Sequence, residues 1–316
     1  MPMRLALGIL GAGHFGRFHA LKAAGGARTR LAGVHDADPA RAAQVAAEAG
    51  APAMEADALI AASDALVVAA PTAAHHALAL RAISAGKPVL VEKPLAGTLA
   101  EAEEIVAAAA ARGVPLQVGH IERFSAAFAA VAGVRTGGRA WHYHAVRMAP
   151  FRPRSLDVSV VLDLMIHDID LILALEGSEP AAVSAAGRRI ASGRLDQVVA
   201  RLDFPSGARA EIAASRASAA LERRLRVLTE EGEMAVDFLA RSLTLLRKDG
   251  DEALPGMPGF GLDRLAWTDH DSLAAEQAAF ADAVLDGTPV VVDGAAGLRA
   301  LKVALAVEAA AEASAG

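Results

Sequence analysis

The 316-residue sequence contains no cysteine. Disulfides, thiolate catalysis and cysteine-ligated zinc are thereby excluded. It also lacks an excess of positive charge: 31 Lys and Arg stand against 37 Asp and Glu, a net charge of −6. That balance argues against nucleic acid or an anionic membrane as the main partner. No apolar run is long enough to span a bilayer, because charges interrupt the alanine tracts. The short run LALGIL after Arg4 breaks into glycines without the cleavage region of a signal peptide. A cytoplasmic protein is expected. Internal repeats and low-complexity linkers are missing as well.

What is present is 54% hydrophobic and 22% charged residues, the composition of a globular protein. At about 100–200 residues per domain, two domains are expected. Up to residue 122 the chain alternates β-branched runs with amphipathic helices, the pattern of a parallel sheet covered on both faces. From residue 123 it changes to alternating strands around one long helix, VSVVLDLMIHDIDLILALEG. The expected fold class is therefore α/β: a Rossmann dinucleotide-binding domain at 1–122 and an α+β domain at 123–316 with a mostly antiparallel open sheet. The Gly- and Pro-rich stretch from Asp249 to Asp271 reads as a long loop, followed by two closing helices.

Gly11-Ala12-Gly13-His14-Phe15-Gly16 is a G-x-G-x-x-G directly after a strand and at the start of a helix. Such a loop lets the backbone approach a pyrophosphate at a positive helix end. Asp36 ends the second strand about 20 residues on, where an acid holds the ribose hydroxyls. A carboxylate there repels a 2′-phosphate, which favours NAD, while Arg41 a turn later keeps NADP open. As a structural alternative, the glycines only save space in a strand–helix turn.

Lys93 in VEKP lies at the carboxyl end of a parallel strand, the edge where ligands of open α/β sheets bind. Pro94 restricts its backbone. Asp163 and His167 are four residues apart on the long helix, on one face. A carboxylate beside an imidazole can orient a general base near neutral pH. Each of these residues could also be an ordinary surface lysine or a salt-linked histidine.

Taken in order, GAGHFG, Asp36, APTAAHH, AGKPVLVEKP and DLMIHDID resemble the glucose–fructose oxidoreductase/inositol dehydrogenase (Gfo/Idh/MocA) family over essentially the whole chain. The resemblance implies an oxidoreductase in which Lys93, Asp163 and His167 form the catalytic group. It implies cofactor contacts from Gly11, Gly13, His14, Phe15, Gly16, Asp36, Pro71, Thr72, His75, Glu92 and Lys93, with no metal. It also implies a second domain that carries substrate and oligomer contacts, in a homodimer or homotetramer. Chemically, His167 can take the hydroxyl proton, Lys93 can stabilise an alkoxide and Asp163 can hold the imidazole; either Lys93 or His167 could be the formal base.

For the substrate, Arg147, Arg152 and Arg154 precede the helix in RMAPFRPRSLDVSVV, and arginine forks suit phosphate oxygens. A solvated basic loop is the plain alternative. VGHIERF, this arginine segment and DVSVVLDLMIHDID resemble a family branch, the UDP-N-acetylglucosamine 3-dehydrogenases. That resemblance implies oxidation of the sugar C3 hydroxyl to a ketone, which a separate aminotransferase then aminates. It implies substrate contacts from Lys93, His120, Arg123, Arg147, Arg152, Arg154, Asp163 and His167; Glu122 could line the same cleft. The competing expectations are a dehydrogenase or reductase of an unphosphorylated sugar or inositol, and an NAD-binding regulator without turnover.

Overall fold

The computed structural model describes residues 3–133, 139–153, 157–268 and 270–315. The chain forms two compact units. The first comprises residues 1–124 and 271–298, the second 125–270 and 299–316. The segment 271–298, expected in the C-terminal domain, thus belongs with the N-terminal one. Its Phe280 and Ala281 are buried among Leu5, Leu7, Ile9 and Leu90, and that packing draws the segment back.

In the first unit the order is β1 (Leu5–Leu10), α1 (His14–Gly25), β2 (Thr29–His35), α2 (Pro39–Ala49), α3 (Ala56–Ala62), β3 (Ala65–Val68), α4 (Thr72–Ser84), β4 (Val89–Glu92), α5 (Leu99–Arg112) and β5 (Leu116–Gly119). The strands form one parallel sheet in the order β2-β1-β3-β4-β5. An isolated bridge between Val34 and Ala53 stands outside β2, where a further strand would begin. The order reverses between β1 and β3, so the ligand crevice of such a sheet opens at their carboxyl ends. Helix boundaries follow local chemistry. The Asp38 side chain caps α2, and Thr98 and Glu101 form a capping box on α5. Gly50 and Gly113 end the two helices in left-handed conformation.

The second unit holds α6 (Ala126–Gly133), β6 (Ala140–Met148), α7 (Ile166–Glu176), β7 (Ala182–Arg188), β8 (Gln197–Asp203), β9 (Arg209–Ser215), β10 (Glu222–Thr229), β11 (Gly232–Asp237), β12 (Ser242–Lys248), β13 (Glu252–Ala253) and β14 (Phe260–Ala266). These strands make a nine-stranded sheet, β13-β14-β12-β11-β10-β6-β9-β8-β7. Only the β6–β9 pair is parallel. Strict alternation of buried and exposed residues, as in β8, gives it one packed face and one wet face. Then α8 (Ser272–Asp286) lies in the first unit, and α9 (Gly294–Ala313) ends the chain. Among the described residues no helix is long and apolar enough to cross a membrane.

Two sequence expectations change here. The stretch 249–271 is not all loop, because β13 and β14 pair within it as edge strands. Ion pairs join the strands: Arg264 of β14 with Glu252 of β13, and Arg247 of β12 with Asp263 of β14. One of the glycines that suggested a loop, Gly261, permits close backbone approach instead: a Cβ on it would meet the Gly250 oxygen at 2.2 Å. The long helix, in turn, is not uniform. Residues Val161–Met165 form a π-helical turn before α7, with the Ile166 N–H donating to the Val161 carbonyl. Such turns are rare and concentrate at functional sites.

Candidate functional site

The dinucleotide half is built entirely within the first unit. Gly11 has φ 107°, and a Cβ on it would lie 2.5 Å from the Ala70 nitrogen. Gly16 is as tightly placed, since a Cβ there would meet the Gly11 oxygen at 1.9 Å. The loop after β1 therefore rests directly on the backbone after β3 and on the first turn of α1. At Gly13 a Cβ would meet nothing within 4 Å. Gly13 caps α1 without a side-chain hydrogen bond, and the first turn has no acid. Open space before uncapped N–H groups at a positive helix end is what a pyrophosphate requires.

Asp36 stands immediately after β2. Its Oδ2 accepts a hydrogen bond from the Ala12 N–H (2.7 Å) and its Oδ1 one from the Asp38 N–H (2.9 Å). The acid and the glycine loop thus form one piece, and these residues fit an NAD-type cofactor. Arg41 comes only to 3.8 Å from Asp36 Oδ1. His14 stacks edge-on against Phe15 and Phe18. Pro71 caps α4, and Thr72 is its first residue.

His75 occupies a different place from the one expected of a cofactor ligand. It is buried, with Nδ1 2.9 Å from the Pro94 oxygen and Nε2 2.8 Å from the Ala70 oxygen. Both ring edges are thus taken by main chain, and the imidazole ties the Lys93–Pro94 turn to the end of β3. Burial pushes its pKa below the ordinary histidine value, against the two carbonyls that favour the charged ring. Glu92 likewise turns inward: His19 Nε2 lies 2.8 Å from its Oε1, and the Lys93 N–H donates to its Oε2 (3.3 Å). Lys93 follows β4 through a cis bond to Pro94. His120 is buried just after β5, while Arg123 is half-buried on the 3₁₀ turn Ile121–Phe124.

The second unit holds the other expected residues. Asp163 lies in the π turn and His167 at the second position of α7, both half-buried. Arg152, Asp163, Arg216 and Arg223, with Pro150 and Leu221 among the other walls, line a cleft of about 130 Å³. Arg154 lies outside the described residues.

Arg147 does not act as an open fork. It is 3% exposed, and its Nε and Nη2 donate to Asp168 Oδ2 and Oδ1 at 2.8 and 3.0 Å. That edge of the guanidinium holds α7 to β6 rather than facing the cleft. Arg223, which sequence reasoning missed, sits directly opposite Arg147 on β10 and lines the cleft. Arg216 was missed too. Its Nε donates to Asp196 Oδ1 at 2.8 Å, and the buried Asp196 also accepts from the N–H groups of Ile190, Ala191 and Ser192. Burial works against the Asp196 charge, but the bonds from Ser192, Arg216 and the main chain outweigh it, and its pKa falls well below the usual carboxylate range.

Residues 5–120 match the family described as "Oxidoreductase family, NAD-binding Rossmann fold", and residues 131–235 match the Gfo/Idh/MocA C-terminal domain. A UDP-N-acetylglucosamine 3-dehydrogenase of Acidithiobacillus ferrooxidans is 39% identical over 312 residues, 98% of each chain. Its solved structure superposes with a TM-score of 0.93 over 99% of each chain. An inositol 2-dehydrogenase of Rhizobium meliloti is 30% identical over 319 residues, 96% of this chain and 95% of that one.

Proposed function

The chain belongs to the Gfo/Idh/MocA oxidoreductase family, with its NAD-binding Rossmann domain, and from that premise we propose that it oxidises the C3 hydroxyl of UDP-N-acetylglucosamine to a ketone. The observation that carries the substrate is the cleft that Arg152 and Arg223 line together with Asp163. Guanidiniums next to the candidate acid suit a diphosphate-linked sugar; a free polyol has no use for them. The 39% identity to the Acidithiobacillus enzyme supports the same substrate.

NAD, held by the Gly11–Gly16 loop and Asp36, supplies the hydride acceptor. The chain's own residues manage the proton and the substrate. His167 and Lys93 handle the hydroxyl proton: a neutral imidazole accepts it, and an ammonium stabilises the developing alkoxide. Asp163 orients the imidazole. Arg152 and Arg223 bind phosphate oxygens, and His75 and Glu92 keep the Lys93 turn in place. The ketone formed is of the class that an aminotransferase takes, which makes such an enzyme the expected cytoplasmic partner. A homodimer or homotetramer is supported by an apolar row across the wet face of the sheet: Ala186, Val199, Ala213 and Val146, in register on β7, β8, β9 and β6.

Incubation of the purified protein with NAD and UDP-N-acetylglucosamine, followed by absorbance of the reduced cofactor, tests this function. Cofactor reduction with the nucleotide sugar is expected. Turnover of myo-inositol with none of any nucleotide sugar would move the substrate to the inositol class, consistent with the 30% identical relative. Bound NAD with no turnover of either would indicate a regulator.

A further inference from the structure

Three titratable side chains meet inside the first unit, behind the Lys93 turn. His19 on α1 and Glu276 on α8 are both fully buried, and Glu92 at the end of β4 is nearly so. One nitrogen or oxygen from each lies within 4.8 Å of the others. Neither carboxyl oxygen of Glu276 has a hydrogen-bond partner among the described residues.

The charges follow from the hydrogen-bond network. The Gln277 side-chain nitrogen is 3.0 Å from the His19 carbonyl oxygen and 2.9 Å from His19 Nδ1. Only an amide N–H₂ can face that carbonyl, so the same group donates to Nδ1. The His19 proton therefore sits on Nε2 and is donated to Glu92 Oε1. A protonated Nε2 has no lone pair for a metal ion, so the trio is not a cation site. His19 is neutral, which leaves two carboxyl groups in one buried space with no positive charge from the imidazole between them. Both cannot be ionised there. Glu92 accepts two N–H donors, from His19 and Lys93, whereas Glu276 accepts none.

We propose that Glu276 is a neutral, protonated acid that leaves Glu92 as the single buried carboxylate of the trio, and that Glu92 in this state fixes the main chain at Lys93. Glu276 and His19 are thus positioning residues for the lysine, whose own role rests on the function proposed above. Gly119 takes part in the fixing. A Cβ on it would come within 3.0 Å of the Glu92 Cα, Cδ and Oε2, so the Glu92 side chain lies against bare backbone. Burial, and then the charge of Glu92, push the Glu276 pKa well above the ordinary glutamate value. Besides His19 and Glu92, the elements packed on α8 carry His14, Arg17 and Lys22 on α1, Glu122 and Arg123 on the 3₁₀ turn, and Arg30 and His35 on β2, while β1 carries no titratable side chain. Arg17 and Lys22 are paired with Glu48 and Asp271.

The test is the unfolding temperature of the full chain from about pH 5 to 9, for wild type and Glu276→Gln. A raised folded-state pKa stabilises fully below the unfolded value of about 4.3 and less as pH climbs through the folded value. Wild type therefore loses stability with rising pH relative to Glu276→Gln, which cannot ionise. A constant offset at every pH, or a divalent cation that raises the wild-type Tm alone, overturns the proposal. Infrared spectra of wild type near pH 7 provide a check that needs no variant: a carboxylic-acid carbonyl band is expected, and its absence is equally fatal. Glu92→Gln, which keeps the shape and removes the charge, lowers kcat about tenfold or more; an unchanged kcat removes the positioning role. Because the first two measurements involve no substrate, their failure is distinct from failure of the proposed reaction.

Discussion

Arg147 on β6 grips Asp168 on α7 through two parallel hydrogen bonds, 2.8 and 3.0 Å long, with both residues excluded from solvent. The pair anchors the helix that carries His167 to the centre of the sheet. Replacing Arg147 by Ala takes both charge-assisted bonds from a buried carboxylate and costs on the order of 3–5 kcal/mol. Urea unfolding of the variant should give that loss. Lys at 147 recovers only part of it, because an ammonium lacks the planar fork.

His167→Ala is expected to lower kcat by about 10²–10⁴, the usual contribution of a general base. NAD affinity, measured by calorimetry, stays unchanged, since the cofactor residues belong to the other unit. A collapse of NAD binding instead would show His167 to be structural.

Arg152→Ala and Arg223→Ala should each raise KM for a UDP-sugar with little change in kcat. A charge-assisted hydrogen bond is worth about 1.5–3 kcal/mol, or roughly 10- to 150-fold. Arg147→Ala is the useful contrast, since it should affect stability more than KM. Equal KM values for wild type and Arg223→Ala would remove the phosphate role of the cleft.

Asp36 holds the glycine loop, and under the proposed function it also binds the ribose hydroxyls, so its loss acts twice. Asp36→Ala should lower kcat/KM with NAD by about tenfold or more, the value of a lost hydrogen bond to a charged group. With the carboxylate gone, the preference for NAD over NADP narrows, as steady-state kinetics with both cofactors would reveal.

Asp196 governs an acid-sensitive contact. Its folded pKa lies below the unfolded value, so its stabilisation is present above the unfolded value of about 3.9 and is lost as pH falls through the folded one. Asp196→Asn should therefore lower Tm at neutral pH, with the difference from wild type shrinking toward low pH. Thermal melts in a pH series would record that convergence.

The cofactor loop could be read in the sequence because its chemistry is local: glycines at fixed spacing, a strand before, a helix after and an acid at the next strand end. The place of Arg147 was also present, in the alternation of RAWHYHAVRM. Tyr143, Ala145 and Arg147 share one strand face, and that face is buried. Arginine clustering in sequence hid this, since neighbours along an extended strand point to opposite sides. Arg223 and Arg216 were not legible, because only pairing across strands brings them to the cleft, and Asp196 enters only as the partner of Arg216. Glu276 left a faint trace: Leu273 and Phe280 stand three before and four after it, on one buried helical face. What it meets there, His19 and Glu92, depends on tertiary packing alone. The π turn has no sequence signature in the alternation of DLMIHDID.

The return of residues 271–298 to the first unit sets an order of events during synthesis. The ribosome completes all five strands of the parallel sheet long before it makes Phe280, Ala281 and Glu276. Until then Leu5, Leu7 and Ile9 lack part of their cover, and His19 and Glu92 lack their third member. The nascent cofactor domain must therefore wait for nearly the whole polypeptide, and a fragment cut at residue 124 would carry every glycine of the loop yet lack a finished interior.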